Sequence, residues 1–244
     1  MPLAIISTPL LDLPVPFDLH APDGFFSVPV ALLMWAIAIV AVGISVQRAG
    51  RSFDERAVPL MGVTAAFIFA AQLINFPVLG GTSGHLLGAV LAAILLGPWA
   101  GTLVMASVIA VQSLLFQDGG LLSMGANIVN MGVIGTMGGY AIYRVLCTAL
   151  GGEVRGRLPS AAVAAWLAVM LGAAATSVEL AVSGTTTLAV VLPAMLGTHV
   201  FIGIGEALIT VGALALIKNA RPDLLELRDA GPAATAPPLE MSES

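Results

Sequence analysis

The sequence has little of what soluble domains and enzymes are built from. Only 9% of its 244 residues are charged, against about 25% in an ordinary soluble domain. Cys147 is the single cysteine, which excludes an internal disulfide and any metal cluster held by several thiolates. Nucleic acid is not an expected partner, because no basic stripe is present to neutralise phosphates.

Signature motifs of several enzyme classes are also absent. The chain has no G-x-x-x-x-G-K-[ST] segment for ATP hydrolysis by a P-loop and no H-E-x-x-H segment of a zincin protease. The Gly-rich turn at 80–84 follows no strand pattern, so it does not favour nucleotide binding. We therefore expect the chain to catalyse no covalent chemistry of its own.

What the chain has in abundance is apolar sequence, with 58% hydrophobic residues and a mean hydropathy of +1.01. The pattern predicts an all-α membrane protein, a bundle of about seven transmembrane helices. A perpendicular span needs roughly 20 residues. The third and fourth apolar runs are shorter and flank Gly97–Gly101, so they are predicted to form a short, Gly/Pro-interrupted helical hairpin. The predicted spans are 28–46, 57–76, 85–96, 102–116, 125–146, 160–181 and 188–217.

The basic residues predict the orientation, because positively charged loops stay on the cytoplasmic side. When the predicted spans are counted, all nine lysines and arginines fall on one side. This places the N-terminus outside and the C-terminus in the cytoplasm. The basic residues are Arg48, Arg51, Arg56, Arg144, Arg155, Arg157, Lys218, Arg221 and Arg228.

The two ends of the chain differ from the apolar domain at 20–217. Residues 1–19 lack the basic region and cleavage site of a signal peptide, and their four prolines break helices. We interpret them as an extracellular extension or the product of a misassigned start codon. The segment 218–244 is rich in proline, alanine and acidic residues and is predicted to be a disordered cytoplasmic tail.

The stretch 72–101 carries the most informative polar residues. Asn75 ends one apolar run, and Thr82 or Ser83 is predicted to cap a helix that opens at His85. The positive N-terminus of that helix would keep the imidazole neutral, and neutral imidazole is the form that binds metal. His85 is therefore predicted to lie at the outer lip of the bundle as a candidate ligand.

Polar residues elsewhere are weaker candidates. The turn Pro22-Asp23-Gly24 is predicted to hold His20 just outside the first span. Asp118 is the only formally charged residue between Arg56 and Arg144.

Within the spans, two pairs of polar residues share a helix face. Asn127 and Asn130 are three apart, and His199 and Glu206 are seven apart. Buried ionisable groups in membranes are functional hypotheses by default. A purely structural hydrogen-bonding role is the favoured alternative for both pairs.

Several segments together resemble the CbiM/NikM family, the substrate-binding membrane subunits of cobalt and nickel energy-coupling-factor (ECF) transporters. The resemblance covers roughly residues 20–217. It is carried by Asn75, GHLLG at 84–88, AAILLGPW at 92–99, QSLLFQDGG at 112–120 and GANIVNMG at 125–132.

The resemblance implies a binding site for a transported ion, with no permanent cofactor. The family binds its ion through an N-terminal amine, the backbone nitrogen and imidazole of the following histidine, and the histidine of the GTSGHL segment. The matching residues are His20 and His85. Four nitrogens in a plane suit Ni(II), and Co(II) is also accommodated. Candidates for supporting these ligands are Asp23, Asn75, Thr82 and Ser83.

The sequence departs from this pattern at one place. His20 follows Leu19 rather than an initiator methionine, so no free amine adjoins it. One hypothesis is that translation starts at the Leu19 codon. If residues 1–19 persist, Asp18 is a candidate oxygen donor in place of the amine.

The resemblance also implies partners in a bacterial or archaeal plasma membrane. These are a transmembrane coupling subunit of CbiQ/NikQ type, cytoplasmic ATPases of CbiO/NikO type and a small accessory protein of CbiN/NikN type. Two alternatives stay open: a subunit for an organic vitamin, and an intramembrane enzyme that uses His199 and Glu206.

Overall fold

The computed structural model describes residues 20–52, 57–73, 76–78 and 82–226. Within these ranges the chain is helical except for its turns and one antiparallel hairpin, in which β1 (Phe76–Val78) pairs with β2 (Thr82–Gly84). A π-helical segment, Ile128–Gly138, joins α5 to α6 without a break. The helices are α1 Val28–Ser52, α2 Ala57–Gln72, α3 Ala89–Leu96, α4 Pro98–Leu115, α5 Met124–Asn127, α6 Gly139–Ala149, α7 Gly152–Arg155, α8 Arg157–Val182, α9 Leu188–Ala220 and α10 Asp223–Glu226.

Four helices of the described chain, α1, α4, α8 and α9, are long and apolar enough to cross a membrane. The helix at Val58–Gln72 is apolar but shorter, and the helical run from α5 through α6 is interrupted by its π segment. The prediction of a multi-pass helical membrane protein is confirmed. The count of seven transmembrane helices is not confirmed, and the β1–β2 hairpin was not expected.

Helix α3 forms the centre of the bundle. All eight of its residues are buried, and α2, α4, α6, α8, α9 and the π segment surround it. At about 1.5 Å per residue it is only about 12 Å long, too short to span a bilayer. The turn at Gly97 and the close approach of Gly101 to the Ala93 backbone bring α4 tightly against α3. These two helices correspond to the hairpin predicted around Gly97–Gly101.

The predicted start of the third helix is wrong. Thr82 and Ser83 lie in β2 rather than at a helix cap, and α3 begins only at Ala89, after Gly88. Gly88 adopts a φ of +75°, and a Cβ at this position would lie 2.8 Å from the Ile68 side chain of α2. A residue with a side chain would therefore be strained and crowded here. His85 consequently lies in a non-helical segment.

The contact of α5 with α1 gives a first test of this packing. A Cβ added to Gly125 would lie 2.6 Å from the Trp35 backbone nitrogen. We expect Gly125→Ala to destabilise the protein by about 1–3 kcal/mol, because overpacking forces backbone shifts. Thermal unfolding in detergent measures this. The matched control is Gly62→Ala in α2, where a Cβ meets nothing within 4 Å. Equal midpoints for the two variants would contradict the packing.

Candidate metal site

Two histidines from distant parts of the sequence lie side by side. The ring centroids of His20 and His85 are 4.7 Å apart, with an angle of 37° between the ring planes. Both rings line a cavity of about 130 Å³ inside the bundle. The structure thus brings together the two residues that were predicted as ligands.

The His20 ring is buried without a hydrogen bond from the described part of the chain. The residue is 3% exposed, and neither ring nitrogen makes a hydrogen bond there. The carboxylate of Asp118 lies beside it. One oxygen accepts the His20 backbone N–H at 3.3 Å, and the other lies 3.3 Å from Nδ1, outside hydrogen-bond geometry. Burying an unpaired polar atom is costly, and ligation of a metal ion would satisfy one of these ring nitrogens.

Hydrogen bonds from the α4–α5 loop and α5 hold the His20 segment inside the bundle. The Asn127 side chain binds both backbone groups of Ala21, at 3.3 and 3.4 Å. The carboxylate of Asp23 accepts three consecutive backbone N–H groups, from residues 121–123. Asp23 therefore positions the segment and does not touch either histidine ring in any contact described.

The tautomer of His85 follows from a backbone contact. Its Nδ1 lies 2.8 Å from the carbonyl oxygen of Leu86. Since a carbonyl only accepts, Nδ1 carries the proton and Nε2 carries the ring's lone pair. This is the arrangement in which neutral histidine ligates a metal. The Leu86 carbonyl, rather than a helix N-terminus, therefore selects the tautomer of His85.

The segment after His85 is anchored by side chains from two helices. Gln72 of α2 donates to the carbonyl of Leu87 at 2.8 Å. The carboxylate of Glu206 in α9 accepts the N–H groups of Leu87 and Gly88, both at 2.7 Å. Glu206 is 18 residues beyond Leu188, or about 27 Å along α9. The backbone just after His85 is therefore held well along α9 from the first residue of that helix. The predicted place of His85 at the outer lip of the bundle stays a prediction.

The opposite wall of the cavity carries the chain's third histidine. His199 lines the cavity together with Met131, Met195 and Thr176, so all three histidines of the sequence face one space. Nδ1 of His199 donates to the Met195 carbonyl at 2.7 Å.

The buried polar pairs predicted within the spans have structural partners. Asn130, also on the cavity wall, donates to Thr176 and to Glu179 at 3.1 and 2.8 Å. Glu206 binds the Leu87–Gly88 backbone.

The other predicted candidates lie outside what the structure describes. Asp18 and Asn75 fall in undescribed segments, and only the backbone of Thr82 and Ser83 is described. Among the described residues, no group of three His, Cys, Asp or Glu side chains is close enough to hold an ion. In the described part of the chain, the candidate ligands that lie side by side are therefore the imidazoles of His20 and His85.

Sequence reasoning missed two residues of this site. Asp118 contacts His20; its signals are its isolation as a charged residue and its place in the segment QSLLFQDGG. Gln72 binds the segment after His85, and its only signal is that a polar residue lies near the end of the predicted span 57–76.

Comparison with known proteins decides the family. The family model "Cobalt uptake substrate-specific transmembrane region" (CbiM) matches residues 20–224. The chain belongs to the CbiM family.

Relatives of this CbiM-family protein are named as metal transporters. A putative fused nickel transport protein NikMN of Archaeoglobus fulgidus is 38% identical over 214 residues, covering 87% of this chain and 70% of the relative. A cobalt transport protein CbiM of Sorangium cellulosum is 32% identical over 196 residues, covering 78% and 86%. A crystal structure described as a transition metal transporter matches with a TM-score of 0.77 at 30% identity, over 86% of this chain and 97% of that one. The family predicted from the sequence is confirmed, and membership supports a role in metal uptake.

The loop against His20 gives a second test. Gly119 has a φ of +91°, and a Cβ there would lie 2.6 Å from the Cβ of His20. We expect Gly119→Ala to displace His20 and to weaken Ni(II) or Co(II) binding by roughly 10-fold or more, as measured by isothermal titration calorimetry.

Gly184→Ala is the matched control for Gly119→Ala. Gly184 has a φ of +75°, so alanine carries a similar backbone cost, but a Cβ there meets nothing within 4 Å. Equal loss of affinity in both variants would mean that the backbone cost of alanine, and not the contact between Gly119 and His20, weakens metal binding.

Proposed function

We propose that this CbiM-family protein captures Ni(II) or Co(II) outside the cell as the substrate-specific subunit of an ECF-type transporter. In this role His20 and His85 ligate the ion. The observation that carries the proposal is the 4.7 Å separation of the two ring centroids at the edge of a buried cavity.

The centroid separation fits two rings that share an ion. Imidazole nitrogens bind divalent first-row ions at about 2.0–2.1 Å, which places a ring centre about 3.2 Å from the ion. Rings at adjacent corners of a square plane then have centres about 4.5 Å apart. The observed 4.7 Å favours ligation from neighbouring corners, the arrangement that Ni(II) uses with nitrogen donors.

The size and lining of the cavity favour an ion over an organic vitamin. Its volume of about 130 Å³ compares with roughly 300–1,000 Å³ for typical small-molecule sites. Neither lysine nor arginine is among its described lining residues, while the carboxylate of Asp118 lies beside His20. A small cavity with histidine and asparagine side chains on its wall, and no cationic side chain among its described lining residues, suits a divalent cation.

The partners of His199 and Glu206 disfavour an intramembrane enzyme. A catalytic pair needs the two side chains within hydrogen-bond reach of each other or of a common substrate. Here both carboxylate oxygens of Glu206 accept backbone N–H groups, and Nδ1 of His199 binds a backbone carbonyl. These contacts support a structural role for Glu206 and leave metal capture as the favoured function.

The remaining donors are proposed to come from the N-terminal side of the site. A chain that starts at residue 19 would place a free amine next to His20, and the His20 backbone nitrogen would complete four nitrogens. The carboxylate of Asp118 accepts a hydrogen bond from that backbone N–H at 3.3 Å, which fixes the position of the nitrogen.

The N-terminus of the purified protein tests this donor set directly. We expect intact-mass spectrometry to find a chain that begins at residue 19. A chain that still carries residues 1–18 would instead leave oxygen from Asp18 as the candidate donor.

Energy for uptake is proposed to come from a CbiQ/NikQ-type coupling subunit and CbiO/NikO-type ATPases. The fused NikMN relative supports association with an N-type accessory protein, because fused domains commonly act together. The basic residues support an outside N-terminus and a cytoplasmic C-terminus. We place the protein in a bacterial or archaeal plasma membrane.

Substitution of the two histidines tests the assignment. We expect His20→Ala and His85→Ala each to weaken Ni(II) or Co(II) binding by more than the roughly 10- to 100-fold that follows loss of an outer hydrogen-bond partner. Uptake of radioactive nickel or cobalt by cells with the full complex should fall with them.

Thr148→Ala serves as the control for the histidine variants. Its hydroxyl is exposed and binds only the Arg144 carbonyl among the contacts described, so binding and uptake should stay at the wild-type level. Normal metal uptake in both histidine variants would rule out the proposed site.

A further inference from the structure

The carboxylate of Glu206 is buried deep in α9 and faces backbone rather than a charged partner. The residue is 2% exposed, and its two oxygens accept the N–H groups of the consecutive residues Leu87 and Gly88 at 2.7 Å each. Hydrogen bonds from neutral donors to an ionised acceptor are short and strong. One side chain of α9 therefore fixes two successive peptide groups just after His85.

The same segment is held from the opposite side by two glutamines. Gln72 of α2 donates to the carbonyl of Leu87 at 2.8 Å, and Gln112 of α4 donates to the Gln72 side-chain oxygen at 2.9 Å. Both glutamines are fully buried. We name Gln72, Gln112 and Glu206 together the Leu87 clamp: Gln72 and Glu206 bind the C=O and the N–H of this residue, and Gln112 binds the side chain of Gln72.

The choice of a carboxylate in the Leu87 clamp has a physical reason. Two adjacent N–H donors need two acceptors, and a carboxylate offers one oxygen to each. A glutamine in its place has one oxygen and an NH₂ group, so one backbone donor would meet another donor. An unsatisfied donor at this depth costs free energy, and the segment would shift to relieve it.

We propose that Glu206 is a positioning residue for metal capture, which fixes the segment 85–88 so that the His85 imidazole lies beside His20. This inference rests on the proposed function. Glu206 does not touch the ion. It binds the backbone N–H groups of Leu87 and Gly88, two and three residues beyond His85. The position of α9 therefore affects where the His85 ring lies relative to His20.

The decisive variant is Glu206→Gln, which keeps the shape of the side chain and removes one acceptor. We expect Ni(II) or Co(II) binding, measured by calorimetry on the purified protein, to weaken about 10- to 100-fold. X-ray absorption at the metal edge should show one imidazole fewer around the bound ion, as in His85→Ala. A merely structural change would not reproduce that loss of a specific ligand.

A double-mutant cycle separates action through His85 from action elsewhere. If Glu206 works only by placing His85, then His85→Ala with Glu206→Gln should bind metal as weakly as His85→Ala alone. Losses that add in the double variant would overturn the positioning role.

Two further variants guard against misfolding. Thr210→Val alters a buried residue one turn along α9 and should leave binding unchanged. Glu206→Asp keeps the charge but shortens the side chain by one methylene, so it reaches fewer of the two N–H groups. It should give the same missing imidazole if Glu206→Gln does not fold.

The outcomes distinguish the two proposals. Wild-type affinity and ligand count in Glu206→Gln, with binding lost in His85→Ala, would overturn the positioning role and leave the metal site standing. Equal binding by wild type and His85→Ala would overturn the metal site, and the positioning role with it.

Discussion

The structure depends on satisfying the backbone of two non-helical segments that enter an apolar bundle. The hydrocarbon core of a bilayer offers no water to bind exposed N–H and C=O groups, so irregular backbone at this depth is satisfied largely by the protein itself. Side chains of the helices and of the α4–α5 loop supply them here. Asn127 and Asp118 bind the segment around His20, and Gln72 and Glu206 bind the segment after His85. These four polar residues therefore hold the two segments in place.

This solution also creates the conditions for binding a cation. An ion that leaves water loses its hydration shell, and the site must replace those contacts with donors of fixed geometry. The burial of His20 and the contact of His85 Nδ1 with the Leu86 carbonyl hold two imidazole rings side by side, 4.7 Å between centroids. The Asp118 carboxylate beside His20 favours positive charge. In the proposed function, the small volume of the cavity and the charge beside it would favour a dication over an organic molecule.

The broad fold and the proximity of His20 and His85 could be predicted from the sequence, but not the contacts that hold the two segments. Apolar runs located the long helices, because each apolar span must be satisfied by its own helix. Motifs singled out His20 and His85. The cap predicted at Thr82 or Ser83 failed because local capping rules do not include Glu206, which lies 118 residues from Gly88 and fixes that turn. The roles of Asp118 and Gln72 also depend on partners distant in sequence, which no local pattern reveals.

The site is built from parts that lie far apart in the chain. Side chains of α2, α4, α5 and α9 fix one or the other of its two segments, so the proximity of His20 and His85 depends on how these helices pack. An ion held by both rings would stabilise only states in which both segments are in place. A displacement of α9 that withdrew Glu206 would remove the support of His85 and lower metal affinity. In the proposed site, helix packing and affinity for the ion are therefore coupled.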